Sequence, residues 1–534
     1  MDDEQYGDIT VQPGVARVSS LRLTSAKLTV ICLLSMKYFR LAIILGFITL
    51  ACNAPLTPPP LVFSTADPTE AATQVVTPKF TPVSVPVPTA ENYHQGDLAA
   101  YTVQTGDTLP GLAGRFRTTA AAIAGDNPTL EPAGQLTTLA PGLPLKIRLL
   151  VEPAWDNPAH ILPDDLFVYG PAQVGFDTAA AISRSNGWLS RYIDNSAGNG
   201  VTGVQIVESV ALDYSISPPL LLAVLEYRLH ALTDPNPPDL FWLGNNEKNS
   251  NTLGKQLSWA ANILNNGYYG WREGTQTQFT DPAGRVINPS PWENAASTAL
   301  LYYFSRFLNG DEYTAAISEN GLLNTYQSLF GTPDWDAGAE SPLIPGGLKQ
   351  PALSLPFLPG KKWAFTGGPH TGWGAGDPRA AIDFAPPSEL TGCDPSEQWA
   401  VAMADGVVVR SGGGIVILDL DGDGKFQTGW TILYLHIYPA SAPPAGARLK
   451  TGDPVGHPSC AGGFSSGRNL HIARLYNGEW ISAGGTLALN LDGWVAAEGD
   501  KEYQGTLTRG DQVVRSSSVG EGFSQIMADP RPAN

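Results

Sequence analysis

The residues best able to bind a metal ion lie in the last third of the chain. His370 lies in the Gly-rich segment GGPHTGWGAGD, where small neighbours leave room for an ion. Asp383 lies in the apolar segment AAIDF, where a lone carboxylate is costly without a counter-charge, and His436 and His471 lie in YLHI and NLHI. Two histidines and one carboxylate leave a fourth coordination position for water, as in a catalytic zinc site. These residues predict hydrolysis of an amide by water activated by Zn²⁺.

The strands that carry these side chains decide which of them can meet. In the segment ILYLH, the alternation of side chains predicts that His436 shares a face with Tyr434 and Ile432. In NLHI, the same rule places Asn469 and His471 on one face, about 6.5 Å apart along the strand. A single histidine is more often a core or loop imidazole, so only the four settings together favour a metal centre.

Short alternating segments surround the candidate ligands and predict an all-β domain, which follows a joint rich in Pro and Gly at residues 345–360. The predicted strands are residues 400–409, 414–420, 431–437 and 469–476.

Six short motifs in this part of the chain resemble the lysostaphin-type zinc metallopeptidases over about residues 351–487. They are GGPHTGWG, AAIDFAPP, ADGVVV, YLHI, TGDPVGHPSC and NLHIARLYNGEW. The resemblance implies that His370, Asp383 and His471 are the zinc ligands. It also implies that His436 is an acid/base or transition-state group. The spacing of thirteen between His370 and Asp383 is similar to that of the beta-lytic and staphylolytic branch, whereas Arg379, four residues before Asp383, cannot ligate.

One position departs from the pattern of that family, which has histidine where this chain has Asn469. Asparagine can hydrogen-bond the attacking water but cannot accept its proton. Because general acid/base assistance is worth about 10² to 10⁴ in rate, two interpretations stay open. The domain is either an active peptidase or a catalytically degenerate one that binds peptidoglycan or activates another hydrolase.

A smaller module is predicted at residues 99–150. The segment YTVQTGD predicts a strand and a turn, and Leu109, Leu112, Ala113 and Phe116 recur on one helix face. A second helix after residue 119, the pair NP at residues 127–128 and a closing strand in PGLPLKI complete the order strand, helix, helix, strand. These residues resemble a LysM module, which implies binding to glycans that contain N-acetylglucosamine. A generic α+β domain is the alternative.

The region at residues 151–345 is predicted to be mainly helical. Ser217 can cap a helix that begins at Pro218, and residues 295–308 predict another long helix. This region loosely resembles the lysozyme-like transglycosylases, but Arg228 occupies the position of the catalytic acid, and Glu226 lies about 200° around the helix. We therefore expect a non-catalytic helical domain, with a glycosidase that uses Glu226 as a third alternative.

The N-terminal 98 residues predict export. The basic segment MKYFR at residues 36–40 precedes an apolar run at residues 41–51 and Cys52. This run is too short to span a bilayer, and TLAC resembles a bacterial lipoprotein box with Cys52 lipidated. An uncleaved anchor is the alternative, and the start stays open between Met1 and Met36. Residues 53–98, rich in Pro and Thr, are predicted to form an extended tether.

The two cysteines of the C-terminal part, Cys393 and Cys460, can pair in an oxidising compartment. Two buried free thiols are the alternative. The segment DLDGDG at residues 419–424 is similar to the start of a calcium loop, but its twelfth position is Trp430 instead of glutamate, so a solvated hairpin turn is predicted there.

Composition limits the choice of function. The chain has 534 residues, and 32 Lys and Arg against 50 Asp and Glu give a net charge of −18, which disfavours nucleic-acid binding. The sequence predicts a multidomain protein exported and lipid-anchored at the outer face of the bacterial cell membrane or in the cell wall. Its parts are a signal at residues 1–52, the tether, the LysM module, the helical region and a zinc metallopeptidase at residues 346–534 that acts on peptidoglycan. The membrane is reached only through the lipid.

Overall fold

The computed structural model describes residues 90–130, 137–196, 200–248, 250–338, 341–387, 392–465 and 467–529. These residues belong to one compact unit, Val76–Asn534. Cys52, the predicted signal and most of the predicted tether lie outside the described residues. Within the described ranges, no helix combines the length and the apolarity needed to cross a membrane.

An N-terminal module has the predicted order of strand, helix, helix and strand. Its elements are β1 (Leu98–Thr102), α1 (Leu109–Arg115), α2 (Ala120–Asp126) and β2 (Pro144–Arg148). The two strands pair antiparallel, and Thr108 and Thr119 cap the two helices with their hydroxyl groups. The buried face of α1 and β2 packs as predicted, because Leu112 and Ile147 are fully buried.

The helical region contains eight α-helices among the described residues and two short two-stranded ladders. The helices are α3 (Asp164–Phe167), α4 (Thr178–Ser183), α5 (Gly203–Tyr214), α6 (Pro218–Leu229), α7 (Leu253–Glu273), α8 (Ala295–Ser305), α9 (Gly310–Ile317) and α10 (Asn324–Phe330). The ladders are β3 (Ile193–Asp194) with β4 (Val201–Thr202), and β5 (Phe279–Thr280) with β6 (Val286–Ile287).

Helix α6 begins where the sequence predicts. The Ser217 hydroxyl accepts a hydrogen bond from the Leu220 amide, and Pro218 is the first helical residue. Nearly every side chain of α6 is buried, so it forms the centre of the helical region. Helix α8 ends at Ser305, three residues before the predicted end at Leu308.

The C-terminal region is built on a nine-stranded sheet. In chain order its strands are β7 (Lys362–His370), β8 (Ala381–Ala385), β10 (Gly406–Gly412), β11 (Ile415–Asp419), β12 (Trp430–Leu435), β13 (Arg448–Leu449), β15 (Leu470–Tyr476), β16 (Glu479–Trp480) and β21 (Gln525–Met527). Eight of them run in the order β13-β10-β11-β12-β15-β8-β7-β21, and β16 pairs with β15.

Two smaller sheets complete this region. The first pairs β9 (Ala400–Val401) with β14 (Pro454–Gly456), and the second orders β17 (Asn490–Leu491), β18 (Trp494–Glu498), β19 (Gly505–Arg509) and β20 (Gln512–Arg515). The strand predicted at residues 400–409 is therefore two strands, because residues 402–405 leave the ladder before β10 begins.

The two faces of the nine-stranded sheet pack into different cores. Ile417 and Leu433 belong to the same buried cluster as the helices of the helical region. Leu418 and Ile432, which point the other way, pack into a second cluster inside the C-terminal region. Alternation along each strand thus places one face of the sheet against the helical region.

A buried arginine at the end of α7 joins the helical region to the sheet. The Arg272 guanidinium forms ion pairs with Asp164, at 3.1 Å, and with Glu479 of β16, at 3.2 Å. The N-terminal module packs on the same point, since a Cβ on Gly111 would lie 2.2 Å from the Arg272 carbonyl oxygen. Three parts of the chain therefore meet at this one residue.

Candidate metal centre

Three neighbouring strands bring His370, Asp383 and His471 together. His370 is the last residue of β7, and Asp383 of β8 is directly paired with His471 of β15. The His370 Nε2 atom lies 3.4 Å from Asp383 Oδ1 and 3.1 Å from His471 Nδ1. His471 Nδ1 in turn lies 3.2 Å from Asp383 Oδ1. The three atoms form a nearly equilateral triangle.

Backbone carbonyls fix the orientation of both imidazoles. The His370 Nδ1–H group donates to the Gly368 carbonyl at 2.8 Å, and the His471 Nε2–H group donates to the Gly372 carbonyl at 3.1 Å. Each ring therefore turns its unprotonated nitrogen toward Asp383. Such outer partners are typical of metal-binding histidines, because they fix the tautomer and the ring orientation.

The donor set fits a zinc ion. The Asp383 Oδ1 atom is buried without a hydrogen-bond partner. Burial alone would raise the pKa of Asp383, but positive charge on His370 and His471 lowers it overall, as a metal ion bound between the three groups also would. Three acceptor atoms facing one another at 3.1–3.4 Å are stabilised by a cation between them, which is either a proton on one imidazole or a metal ion. Bonds of about 2.0–2.2 Å in a tetrahedral zinc site place neighbouring ligand atoms about 3.4 Å apart.

His436 lies beside the triangle, on a face different from the predicted one. Its backbone has φ = 68°, a left-handed conformation that ends the alternation of β12. As a result His436 lines the same cleft as His471, whereas Tyr434 is buried in the core on the other side of the sheet. The two imidazole rings lie 6.3 Å apart. The predicted shared face of His436 and Tyr434 is thus wrong.

His436 is held as a neutral base. Its Nδ1–H group donates to the Ala461 carbonyl at 2.9 Å, which leaves Nε2 unprotonated. Burial and then the neighbouring His471 lower the pKa of His436 to about 4. The neutral form therefore predominates near pH 7.

Asn469 is half-buried and lines the same cleft. Its Oδ1 atom accepts a hydrogen bond from the Ser465 hydroxyl at 3.1 Å. The side chain is therefore oriented by the loop that precedes β15, at the position where the resembling family has histidine.

The cleft over the triangle has a volume of about 660 Å³. Two of its aromatic side chains are absent from the sequence-based predictions. Tyr503 stacks on His370 with ring centroids 4.1 Å apart, and Phe464 is 98% exposed at the rim. Tyr503 lies 32 residues after His471, in a segment without a motif, so only the three-dimensional structure reveals it.

Cys393 and Cys460 form a disulfide with Cα atoms 5.1 Å apart. Cys460 is the neighbour of Ala461, whose carbonyl orients His436. The preceding residue, Ser459, also donates to the His436 carbonyl through its amide, at 2.7 Å. The disulfide therefore fixes the segment that holds the candidate base.

The helical region supports the loop that carries the Gly372 carbonyl. The side-chain oxygens of Asn262 and Asn266, one turn apart on α7, accept hydrogen bonds from the Ala375 and Asp377 amides, both at 2.8 Å. This approach requires glycine in the loop, because a Cβ on Gly374 would lie 2.2 Å from Asn262 Oδ1. An outer layer of the candidate metal centre thus comes from another part of the chain.

Two other acidic positions do not belong to this centre. Glu226 is buried, and its carboxylate accepts hydrogen bonds from the Leu232 amide and the Thr233 hydroxyl, so its bonding is internal to the helical region. In the DLDGDG turn, carboxylate oxygens of Asp419, Asp421 and Asp423 lie within 4.8 Å of one another. The Asp419 and Asp423 carboxylates accept bonds from amides of the same turn, as in a hairpin.

Comparison with known families places two parts of the chain. Residues 101–148 match the LysM domain model, and residues 160–342 match the model described as LasA, N-terminal domain. The chain carries a LysM domain and a LasA N-terminal domain. The N-terminal module is therefore the LysM domain, and the helical region corresponds to the LasA N-terminal domain.

Similar proteins extend this result. Protease LasA of Pseudomonas aeruginosa is 26% identical over 350 residues, which cover 61% of this chain and 77% of that protein. The solved structure of the M23 metalloprotease pseudoalterin has 22% identity and a TM-score of 0.27, and covers 31% of this chain and 96% of its own. The solved structure of the lysostaphin catalytic domain from Staphylococcus simulans has 21% identity and a TM-score of 0.16, and covers 23% of this chain and 88% of its own. The resemblance to a LysM domain is confirmed by the family model, and the peptidase resemblance agrees with the similarity to protease LasA.

Proposed function

We propose that the chain is an exported zinc metalloendopeptidase that hydrolyses peptide cross-links of peptidoglycan and is held to the glycan by its LysM domain. One observation carries the proposal. Two oriented imidazole nitrogens and an unpartnered buried carboxylate oxygen converge at 3.1–3.4 Å below an open cleft. The acidic net charge of −18 supports a partner other than nucleic acid.

His370, Asp383 and His471 would hold the ion, and three protein ligands leave a fourth position toward the cleft. A bound zinc supplies Lewis acidity and lowers the pKa of a water to about 7. His436 presents its unprotonated Nε2 to the cleft and can take a proton there. Asn469 can orient a water or the scissile carbonyl by hydrogen bonding, but it cannot take the proton.

The expected place of action is the outer face of the bacterial cell membrane or the cell wall. Cys52 would carry the lipid, residues 53–98 would serve as the tether, and residues 346–534 would form the peptidase domain. A Cys52→Ser variant should move from the membrane fraction to the soluble exported fraction. Retention of that variant in the membrane would contradict lipidation at Cys52.

The decisive experiment incubates the full chain with purified cross-linked peptidoglycan and identifies the products by mass spectrometry. We expect new peptide amino termini, about one zinc per chain by elemental analysis, and loss of both in His471→Ala. Zinc content unchanged in His471→Ala would remove the metal assignment. New reducing sugar ends in place of amino termini would favour the glycosidase alternative and Glu226.

A second candidate function rests on Asn469, which replaces the histidine of the resembling family. A degenerate peptidase would bind zinc and peptidoglycan without releasing peptides. It would act by binding the wall or by activating another hydrolase. Retained zinc and retained sedimentation with peptidoglycan, together with unchanged cross-links, would support this function over the first.

A further inference from the structure

The linker between the LasA N-terminal domain and the sheet region lies against the LysM domain. Its docked part, residues 344–348, is called here the docked linker. At its start, the Ile344 amide donates to the Thr105 hydroxyl oxygen at 2.8 Å, and that hydroxyl donates to the Ile344 carbonyl at 3.2 Å. One threonine of the turn after β1 thus satisfies both backbone groups of one linker residue.

A second loop of the LysM domain holds the rest of the docked linker. The Thr138 hydroxyl donates to the Pro345 carbonyl at 2.7 Å and accepts from the Leu348 amide at 3.0 Å. The Thr138 carbonyl accepts from the Gly347 amide at 2.8 Å, and the Thr137 hydroxyl donates to the Leu348 carbonyl at 2.7 Å. These bonds pair backbone groups of the linker with two adjacent threonines.

The two loops form one platform, because the Leu139 amide donates to the Asp107 carbonyl at 2.8 Å. The linker fits this platform closely at Gly346, where an added Cβ would lie 2.5 Å from Ala140 Cα. The next residue, Gly347, is exposed and has φ = +67°, a conformation that only glycine adopts readily. The close contact at Gly346 and the positive φ at Gly347 both favour glycine at these two positions of the docked linker.

The chemistry of the platform also suits a sugar. Its threonine hydroxyls and carbonyl pair with amide N–H and C=O groups, and the acetamido group of N-acetylglucosamine offers the same two groups. We propose that the docked linker is an internal ligand of the LysM domain, and that a glycan with N-acetylglucosamine units must displace it to bind. This inference rests on the proposed glycan binding and adds a competition within the chain.

Displacement would reach beyond the LysM domain, because the linker is also tied to the sheet region. The Leu343 carbonyl accepts from the Asn477 side-chain amide at 2.9 Å, and the Gln350 side-chain amide donates to the Asn490 carbonyl at 2.7 Å. Glycan binding would leave the linker held at its two ends only. The released segment would then be open to proteolysis between the two regions.

The test compares the full wild-type chain with Gly346→Val, which clashes with Ala140, and Gly347→Pro, whose ring excludes the required positive φ and removes an amide donor. Lys349→Ala, at an exposed linker position, is the matched control. Calorimetry measures binding of the N-acetylglucosamine hexamer, and brief proteinase K digestion with mass spectrometry maps cleavage at residues 341–350. If the linker occupies the platform about 90% of the time, both release variants should bind the hexamer about tenfold more tightly.

In the wild type, saturating hexamer should increase cleavage of the linker, and Lys349→Ala should behave as the wild type. Equal hexamer affinity in variants whose linker is cleaved readily would overturn the competition and leave glycan binding intact. Wild-type cleavage unchanged at saturating hexamer would overturn it as well. Absence of hexamer binding in every protein would contradict glycan binding itself, and the competition with it.

Discussion

His436 shows how one backbone angle can place a functional side chain. A residue in regular extended conformation after Leu435 would point toward Tyr434 and the buried core, whereas φ = 68° turns the imidazole into the cleft. The Ala461 carbonyl then fixes its tautomer. These two features define the role expected for His436, which is proton transfer without a contribution to metal binding.

Substitution of His436 should therefore separate catalysis from metal binding. In His436→Ala we expect zinc content near that of the wild type and a fall in kcat/KM of about 10² to 10⁴, since general acid/base assistance is lost. Elemental analysis and hydrolysis of a cross-linked muropeptide measure the two effects. Loss of zinc in this variant would mean that His436 is a ligand.

Substitution of Asn469 by histidine should have the opposite effect on the rate from substitution of His436 by alanine. Because Asn469 is half-buried and lines the cleft, an imidazole at this position would also line the cleft, where it could accept a proton. Asn469→His should raise kcat by about tenfold or more and introduce a second ionisation in the pH–rate profile. Asn469→Ala, the control, should stay at or below the wild-type rate. Equal rates for the histidine and alanine variants would show that His436 already suffices.

At this scale, the sequence predicts which side chains come together and misses the backbone groups that orient them. His370, Asp383 and His471 could be predicted because ligand residue types recur in short motifs. The Gly368, Gly372 and Ala461 carbonyls could not, because every residue has a carbonyl and only its direction matters. The role of Asn469 remains a prediction.

At the scale of elements, α7 acts as a support for the loop between β7 and β8. Its Asn262 and Asn266 side chains hold two amides of the loop that carries the Gly372 carbonyl. That carbonyl in turn orients His471. Periodicity predicts such a helix, but it does not predict which loop the helix will contact.

Removal of this support should weaken metal binding without removing a ligand. In the double variant Asn262→Ala/Asn266→Ala we expect zinc affinity to fall about tenfold, at the lower end of the range for outer partners of metal ligands. Competition with a chromogenic chelator measures the affinity. Lys255→Ala, at an exposed position on the first turn of α7, is the control and should keep the wild-type affinity. An unchanged affinity in the double variant would show that the loop keeps its shape alone.

Strand prediction succeeds where alternation is regular and fails where it stops. Strands β11 and β15 fall within the predicted segments, and β12 begins one residue before its predicted segment. Residues 402–405 and His436 depart from the prediction, because a bend that ends at Asp405 interrupts the first strand and a positive φ ends the alternation at His436. Local sequence carries the period of a strand but not the point at which the backbone leaves it.

At the scale of the whole molecule, the contact between α7 and the sheet region contains a half-buried acid. The Glu273 carboxylate accepts a bond from the Ser482 hydroxyl, while burial and then the nearby Asp377 raise its pKa to about 8. Glu498 raises the pKa further and Arg379 lowers it. Glu273 is thus protonated in the folded protein near pH 7, whereas an unfolded chain releases that proton above its ordinary pKa of about 4.3.

The sign of the pH effect follows from this difference. Between pH 4.5 and about 8 the folded state binds more protons than the unfolded state at this group, so stability falls as the pH rises. Glu273→Gln keeps an oxygen acceptor for Ser482 and removes the titration. We expect the variant to gain several degrees in Tm over the wild type at pH 8 and almost none at pH 5. Equal differences at both pH values would contradict a raised pKa.

The packing of the three regions could not be read from the sequence. The expectation of separate domains does not predict that Arg272 contacts Asp164 and Glu479, or that the linker lies on the LysM platform, because no periodicity encodes contacts between distant segments. Composition and motifs predict the parts, whereas their assembly depends on the shapes of the surfaces that meet.

The pairing of Cys393 with Cys460 has a consequence for the timing of activity. In the cytoplasm, reducing conditions keep both thiols reduced, so the segment that orients His436 would lack its anchor during synthesis. Full competence would come only after translocation, when oxidation closes the crosslink. If the chain is exported as proposed, it would mature beyond the cytoplasmic compartment, where the proposed substrate lies.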